Sequence, residues 1–183
     1  MPADRPASGP SRRLIAGVAG VVALLLALPA LFVTNRTPSV APGIYFTPPA
    51  WTPGLGAPGP GDLVMACPPD LPLLDLALAR GYVPPSDACA SGATPFLKRI
   101  LATGGQTVRL DTTGLWIDGA RVQPAPPTTD SRGRPIGPAY TQVRLGEGAL
   151  WLGSDIERGF DSRYLGPFGP ELVRGRAFLA VPF

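Results

Sequence analysis

A run of twenty uncharged residues, Leu14 to Val33, most restricts what this chain can form. A helix of that length spans about 30 Å, the thickness of the hydrocarbon core of a bilayer. Arg12 and Arg13 precede the run and, by the positive-inside tendency, predict that residues 1–13 are cytoplasmic. We therefore predict a single-pass anchor over 14–33 in the inner (cytoplasmic) membrane, with the lipid bilayer as a partner and residues 34–183 in the periplasm.

A cleaved secretory signal peptide is the competing interpretation of the same run. Its outer end reads Ala27-Leu28-Pro29-Ala30, which is not the Ala-x-Ala pattern of a cleavage site. The run is also longer than the usual apolar region of about 7–15 residues. These features favour an uncleaved anchor, and in both interpretations residues 34–183 are exported.

Glycine and proline together make 48 of the 183 residues, so the exported part is divided into short segments. One helix-like segment, 71–80, ends at Gly81. Asp118-Gly119 predicts a tight hairpin turn, whereas 124–138 is predicted to be a loop and 154–166 to be turn-like. The fold class is therefore mostly β with one short helix. Predicted strands cover 43–46, 62–66, 94–101, 106–110, 115–118, 121–123, 142–145, 148–153 and 174–181.

Histidine content, charge and cysteine content each narrow the class of protein. The chain has no histidine, which excludes Ser-His-Asp and Cys-His catalysis and argues against a catalytic zinc site. The net charge of +3 is small and scattered, so we predict no nucleic-acid partner. Cys67 and Cys89 follow the predicted anchor and predict a disulfide, with two unrelated buried thiols as the alternative.

Ser39 stands between Pro38 and Pro42, which restrict the backbone around it. This spacing predicts that the serine is displayed on a stiff, extended segment, which suits a nucleophile. The alternative is a proline-rich linker leaving the anchor, because serine, proline and glycine are common in loops.

Lys98 is the single lysine of the chain, against fifteen arginines. In a strand, Phe96, Lys98 and Ile100 share one face, so we predict a buried amine with a depressed pKa. A neutral lysine can accept a proton, which an arginine cannot do in a protein. The alternative is a lysine that extends from a strand edge into solvent.

Four segments, in order along the chain, carry a resemblance to a known family: the predicted N-terminal anchor, 37–43 around Ser39, 97–105 around Lys98, and 153–166 with its Asp-Ser-Arg-Tyr-Leu-Gly sequence. The chain resembles the type I signal peptidase family of Ser-Lys proteases. The Asn-Arg-Thr-Pro-Ser start and Gly43-Ile44-Tyr45 are most similar to the TraF-type conjugative-transfer peptidases. The resemblance implies a signal-peptidase-like antiparallel β domain with neither cofactor nor metal.

The resemblance also implies a mechanism with named residues. Ser39 is the nucleophile and Lys98 its general base, while the Ser39 N–H and the Thr37 hydroxyl stabilise the oxyanion. Asp161 and Arg163 form an ion pair that supports the site. Asp155 and Ser162 are further supporting residues.

The chain departs from the family pattern at three places. Val40 stands where the family usually has methionine, and 104–106 reads Gly-Gly-Gln instead of Pro-Gly-Asp. Gly159 occupies the position at which leader peptidases often carry a serine that orients the lysine. Asp155, Asp161 and Ser162 therefore remain as alternatives for the orienting group.

These observations predict a membrane-anchored serine endopeptidase that cleaves exported preproteins or prepilins after small residues, in conjugative transfer. A non-catalytic anchored β-domain subunit of a secretion or transfer apparatus is the alternative. An aspartic protease using Asp155 and Asp161 is disfavoured, because the Asp-Thr/Ser-Gly settings of that class are missing.

Overall fold

The computed structural model describes residue 16, residues 31–49, residue 54 and residues 56–183. The predicted anchor therefore lies largely outside the described residues, although its last two residues, Phe32 and Val33, belong to the first strand. No helix within the described ranges is long and apolar enough to span a membrane. The chain divides into two units at Phe32, and the architecture below is that of residues 33–183.

Short antiparallel strands dominate the described part of the chain, which confirms the mostly β prediction. The segment predicted as a helix before Gly81 is helical, and a second, four-residue helix forms where 154–166 was predicted to be turn-like. The elements are β1 Phe32–Asn35, β2 Gly43–Phe46, β3 Leu63–Ala66, α1 Pro72–Ala79, β4 Phe96–Thr103, β5 Thr107–Asp111, β6 Gly114–Ile117, β7 Ala120–Gln123, β8 Thr141–Arg144, β9 Leu150–Gly153, α2 Ser162–Leu165 and β10 Val173–Pro182.

The second helix, α2, was not predicted because its sequence is polar at the start. Asp161 caps it, since the carboxylate accepts a hydrogen bond from the Arg163 N–H at 3.1 Å. The side chains of all four helical residues are buried. A polar segment that looks solvated in the sequence is therefore part of the interior.

The strands form two sheets. The larger has the order β1-β2-β10-β3-β4-β9, and the smaller has the order β7-β6-β5-β8. Strand β4 pairs with β3 on one side and β9 on the other, both antiparallel. The turn between β6 and β7 has positive φ at Asp118 (48°) and Gly119 (84°), as the predicted tight hairpin requires.

Three apolar clusters lie among the described residues, and one of them lies beside the segment of Ser39. The first packs α1 against β3, β4 and β9, and the second packs Trp151 of β9 against the smaller sheet. The third consists of Val40, Tyr45, Leu97 and Ala177. Burying one apolar side chain contributes about 1.5–3 kcal/mol to the stability of the fold. Because Val40 directly follows Ser39, its burial attaches the serine segment to a packed core.

A disulfide joins Cys67 and Cys89, with 5.6 Å between their Cα atoms. Arg174 of β10 lies beside it, because its Nε contacts Cys67 Sγ at 3.1 Å and its Nη2 donates to the Ala88 carbonyl. The bond connects the end of β3 to the irregular segment that precedes β4. That segment forms part of the cavity described below.

Candidate active site

Ser39 lies in a turn between β1 and β2, and one buried side chain closes this turn. Asn35, 8% exposed, donates from Nδ2 to the carbonyl oxygens of Thr37 (2.9 Å), Val40 (3.0 Å) and Ala41 (3.2 Å). Its Oδ1 accepts a hydrogen bond from the Thr37 N–H at 3.1 Å. The prediction of an extended segment is therefore wrong, because a side-chain amide folds the backbone back on itself.

Ser39 is a half-buried residue, and its hydroxyl has the exposed Thr37 hydroxyl as its partner, with 2.9 Å between the two oxygens. Thr37 Oγ1 donates its single hydrogen to Asn35 Oδ1 at 2.8 Å. Ser39 is consequently the donor in the bond between the two hydroxyls. The role of Thr37 as an oxyanion donor stays a prediction, and it requires this hydrogen to turn away from Asn35.

Lys98 lies on β4 with 6% of its surface exposed, and its Nζ is 5.5 Å from the centre of the Phe96 ring. The predicted burial between Phe96 and Ile100 is confirmed. Burial lowers the pKa of Lys98 to about 8; Arg163 adds to this lowering, whereas Asp161 opposes it. At pH 7 a lysine with a pKa of about 8 is neutral in roughly a tenth of the molecules.

The amine is held by Ser154, a residue that the sequence analysis did not single out. Lys98 Nζ donates to Ser154 Oγ at 2.8 Å, and Ser154 is 1% exposed. Strand β4 pairs with β9 so that Arg99 stands opposite Gly153. Continuing this register by one residue puts Ser154 opposite Lys98. The sequence could have indicated Ser154 only once the pairing of these two strands was known.

The three residues proposed from sequence to orient the lysine have other partners. In the described part of the chain, Ser154 takes the place that was assigned to Asp155, Asp161 or Ser162. Ser154 directly follows β9 and lies outside the Asp-Ser-Arg sequence, so no local motif indicates its role. The observed partners are Arg99 for Asp155 (2.8 Å), Arg163 for Asp161 (2.7 Å) and the Leu152 N–H for Ser162 (2.9 Å).

Asp161 and Arg163 form a buried ion pair, with 2.7 Å between Arg163 Nη2 and Asp161 Oδ2. The side chain of Arg163 is 1% exposed and that of Asp161 is 0% exposed. Arg163 also donates to the carbonyl oxygens of Ile156 (3.2 Å) and Gly159 (3.3 Å). Asp161 accepts from the Ser154 N–H at 2.9 Å. The ion pair therefore fixes the backbone that carries Ser154.

Ser154 and Asp155 connect three parts of the site. The Asp155 N–H donates to the Ser39 carbonyl at 2.7 Å, and Gln123 Nε2 donates to the Ser154 carbonyl at 3.0 Å. The Asp155 carboxylate accepts two hydrogen bonds from Arg99, which lower the pKa of that carboxyl. The serine turn, the lysine strand and the smaller sheet thus meet at one pair of residues.

The geometry argues against the alternative of an aspartic protease. Asp155 and Asp161 each bind a separate arginine, so they do not form the pair of carboxylates that shares one proton. Within the described residues, no group of three or more histidine, cysteine, aspartate or glutamate side chains could hold a metal.

A cavity of about 880 Å³ opens beside these residues. Ser39, Thr37 and Lys98 line it, and its other walls include residues of the segments 82–95 and 127–136. Phe160 is among the apolar side chains that line it. A largely apolar cleft with a few polar groups is typical of a site that binds a small apolar segment of a substrate.

The sequence match identifies the class of protein. Residues 11–181 match the family described as signal peptidase, peptidase S26, and the chain belongs to this family. Similar relatives are a plasmid transfer protein TraF of Escherichia coli, 34% identical over 172 residues (89% of this chain, 92% of that protein), and a conjugal transfer protein TraF of Agrobacterium fabrum, 36% identical over 165 residues (88% and 90%). The resemblance noted in the sequence is thereby confirmed.

Among solved structures, a crystal structure of a signal peptidase I from Enterococcus faecalis V583 is similar to this chain. The two are 19% identical with a TM-score of 0.37, and the match covers 67% of this chain and 98% of the other.

Proposed function

We propose that the protein is a serine endopeptidase in which Ser39 is the nucleophile and Lys98 the general base. One observation carries this proposal: the single lysine of the chain is buried, has a pKa of about 8, and lines the same cavity as Ser39. A buried amine of lowered pKa is the form of lysine that can accept a proton near neutral pH. Membership of the peptidase S26 family supports the same reaction class.

The reaction is acyl transfer. Neutral Lys98 Nζ takes the proton of Ser39 Oγ as this oxygen bonds to the scissile carbonyl carbon, and the carbonyl oxygen becomes the oxyanion. The Ser39 N–H and the Thr37 hydroxyl are the proposed donors to that oxyanion. The Lys98 ammonium then gives its proton to the leaving amine, and water hydrolyses the acyl-enzyme by the reverse sequence.

The two proposed catalytic groups have separate hydrogen-bond partners in the structure. Ser39 Oγ donates to Thr37, and Lys98 Nζ donates to Ser154. Catalytic hydrogen bonds are often long or absent in free enzymes and form in the substrate complex. We therefore expect a bound peptide in the cavity to turn the Ser39 hydroxyl from Thr37 towards Lys98.

The proposed substrate class rests on the resemblance to a known family. We propose exported preproteins or prepilins with small residues before the cut, the substrates that the resemblance to type I signal peptidases implies. Membership of the peptidase S26 family, and relatives named for plasmid and conjugal transfer, support this proposal. A non-catalytic subunit of the transfer apparatus would have no need for a buried lysine of lowered pKa. The catalytic role is therefore the better account of the site.

We propose that the domain lies in the periplasm and that the part of the apolar run 14–33 that precedes β1 anchors it in the inner membrane. A reporter enzyme fused after Phe183 should be active only in the periplasm, and the protein should stay in the membrane fraction at alkaline pH. A soluble form starting near Leu31 would contradict the anchor and show a cleaved signal instead.

Cleavage of a preprotein with small residues before the cut, by the full-length protein in detergent, tests the proposal. We expect Ser39→Ala to abolish turnover. Ser91→Ala is the matched control, because Ser91 Oγ is buried and has no hydrogen-bond partner among the described residues. The proposal is contradicted if Ser39→Ala, shown by thermal melting to be folded, cleaves the substrate as fast as the control.

A further inference from the structure

The Lys98 amine has one hydrogen-bond acceptor within the described residues, the hydroxyl of Ser154. Both side chains are almost fully buried, with exposures of 6% and 1%. A neutral amine has two N–H donors and one lone pair. Fixing one donor on Ser154 restricts rotation about the Cε–Nζ bond, and so limits where the lone pair can point.

Ser154 occupies the space that a side chain at position 159 would need. A Cβ atom added to Gly159 would lie 2.0 Å from Ser154 Oγ and 2.2 Å from Ser154 Cβ, far inside contact distance. The φ of Gly159 is not in the left-handed region, so its backbone does not require glycine. The glycine is explained by the neighbouring serine and not by local conformation.

The two positions are also held in a fixed relation by one buried ion pair. Asp161 accepts from the Ser154 N–H at 2.9 Å, and Arg163 donates to the Gly159 carbonyl at 3.3 Å. With the Ser154 side chain removed, the nearest remaining neighbour of a Cβ at 159 is Asp161 Oδ2 at 3.1 Å, which would have to move by a few tenths of an ångström. The space that Ser154 fills is therefore the space open to a small side chain at 159 when position 154 is glycine.

We infer that Ser154 is the positioning residue for Lys98, and that residues 154 and 159 share a single side-chain site, so that a serine at 159 can replace Ser154 when position 154 is glycine. The inference rests on the proposed role of Lys98 as general base. It concerns a positioning residue, because Ser154 acts on the reaction only through the lysine.

The test compares four full-length proteins in detergent: wild type, Ser154→Gly, Ser154→Gly with Gly159→Ser, and Ser154→Gly with Gly159→Ala. The last variant refills the volume without a hydroxyl, so it separates packing from positioning. Two readouts are taken, kcat/KM on a preprotein with small residues before the cut and the pKa of Lys98. Because Lys98 is the single lysine, protein labelled with ¹³C at lysine Cε gives one lysine signal to titrate.

We expect Ser154→Gly to lower kcat/KM at pH 7 by about tenfold or more, since general-base catalysis depends on a positioned amine. Its Lys98 pKa should fall, because the buried ammonium loses its acceptor. The double variant Ser154→Gly with Gly159→Ser should have a kcat/KM and a Lys98 pKa near those of the wild type. The variant with Gly159→Ala should recover neither.

Equal recovery by alanine and serine at 159 would overturn the inference, since packing alone would then suffice. Wild-type kcat/KM and Lys98 pKa in Ser154→Gly would also overturn it. So would a failure of the folded double variant, Ser154→Gly with Gly159→Ser, to recover these two values. If that double variant does not fold, Ser154→Ala decides, and unchanged kcat/KM and pKa would overturn the inference. If no protein cleaves but the pKa pattern holds, the proposed function fails while the assignment of Ser154 stands.

Discussion

Lys98 is the single lysine of the chain, and the fold places its amine where a charge is costly. Burial lowers its pKa from 10.5 to about 8, so the folded protein releases this proton more readily than the unfolded chain does. Below pH 8 the lysine is charged in both states, and the folded protein bears the full cost of burying that charge. Between about pH 8 and 10.5 the unfolded chain binds more protons, so stability due to this group rises with pH.

This rise in stability with pH gives a prediction for Lys98→Met. The variant should be more stable than wild type at pH 7, by up to about 3 kcal/mol, because it removes the buried charge. The difference in stability between the variant and wild type should become smaller as the pH rises to 10. Urea unfolding of both proteins at pH 7 and pH 10 measures it, and a difference that does not change with pH would contradict the account.

At the scale of elements, two aspartate–arginine pairs surround the same loop but differ in burial. Asp155 and Arg99 are 38% and 36% exposed, whereas Asp161 and Arg163 are almost completely buried. An exposed pair contributes about 0–1 kcal/mol, whereas removing one partner of a buried pair costs about 3–5 kcal/mol. The buried pair also holds Ser154 in place.

We therefore expect Asp161→Asn to lower the free energy of unfolding by about 3–5 kcal/mol, and Asp155→Asn, its matched control, by at most about 1 kcal/mol. Denaturant titration of both variants measures the difference. Equal losses in the two variants would mean that the buried pair does not fix the loop.

Local patterns predicted most of the elements. The hairpin at Asp118-Gly119 and the helix before Gly81 depend on a few neighbouring residues, and both are present. The burial of Lys98 followed from its apolar neighbours on β4. Each of these features is encoded within one short segment.

Two features of the site were not predicted, the partner of Lys98 and the turn around Ser39. Ser154 meets Lys98 because of the register between β4 and β9, two strands about fifty residues apart in the chain. The turn around Ser39 forms through the side chain of Asn35, although the prolines there favour an extended backbone. The pairing register is set by the whole fold and could not be derived from the local sequence. The closure by Asn35 is local, since it joins residues two to six positions apart, but a side-chain bond of this kind competes with the extended backbone that the prolines favour.

At the scale of the whole molecule, the disulfide between Cys67 and Cys89 connects the larger sheet to a wall of the cavity. It closes a loop of 22 residues, for which the chain-entropy model gives a stabilisation of about 3 kcal/mol. The proposed export to the periplasm predicts that the bond forms in the cell, because the periplasm is oxidising.

We expect the protein isolated from membranes to contain no alkylatable thiol before reduction, as measured by mass spectrometry. Reduction should lower the melting temperature of wild type and leave that of the Cys67→Ser, Cys89→Ser double variant unchanged, since the chain has no other cysteine. Two free thiols in the unreduced protein would contradict the prediction.

The central claim is that Lys98 accepts the proton of Ser39, and the change Lys98→Arg tests it most directly. Arginine keeps the positive charge and a similar length, but it cannot give up its proton at any working pH. The measurement is turnover of a preprotein with small residues before the cut, for wild type, Lys98→Arg and Ser39→Ala, with folding checked by thermal melt. The account predicts that Lys98→Arg is as inactive as Ser39→Ala, whereas a folded Lys98→Arg protein with substantial turnover would contradict it.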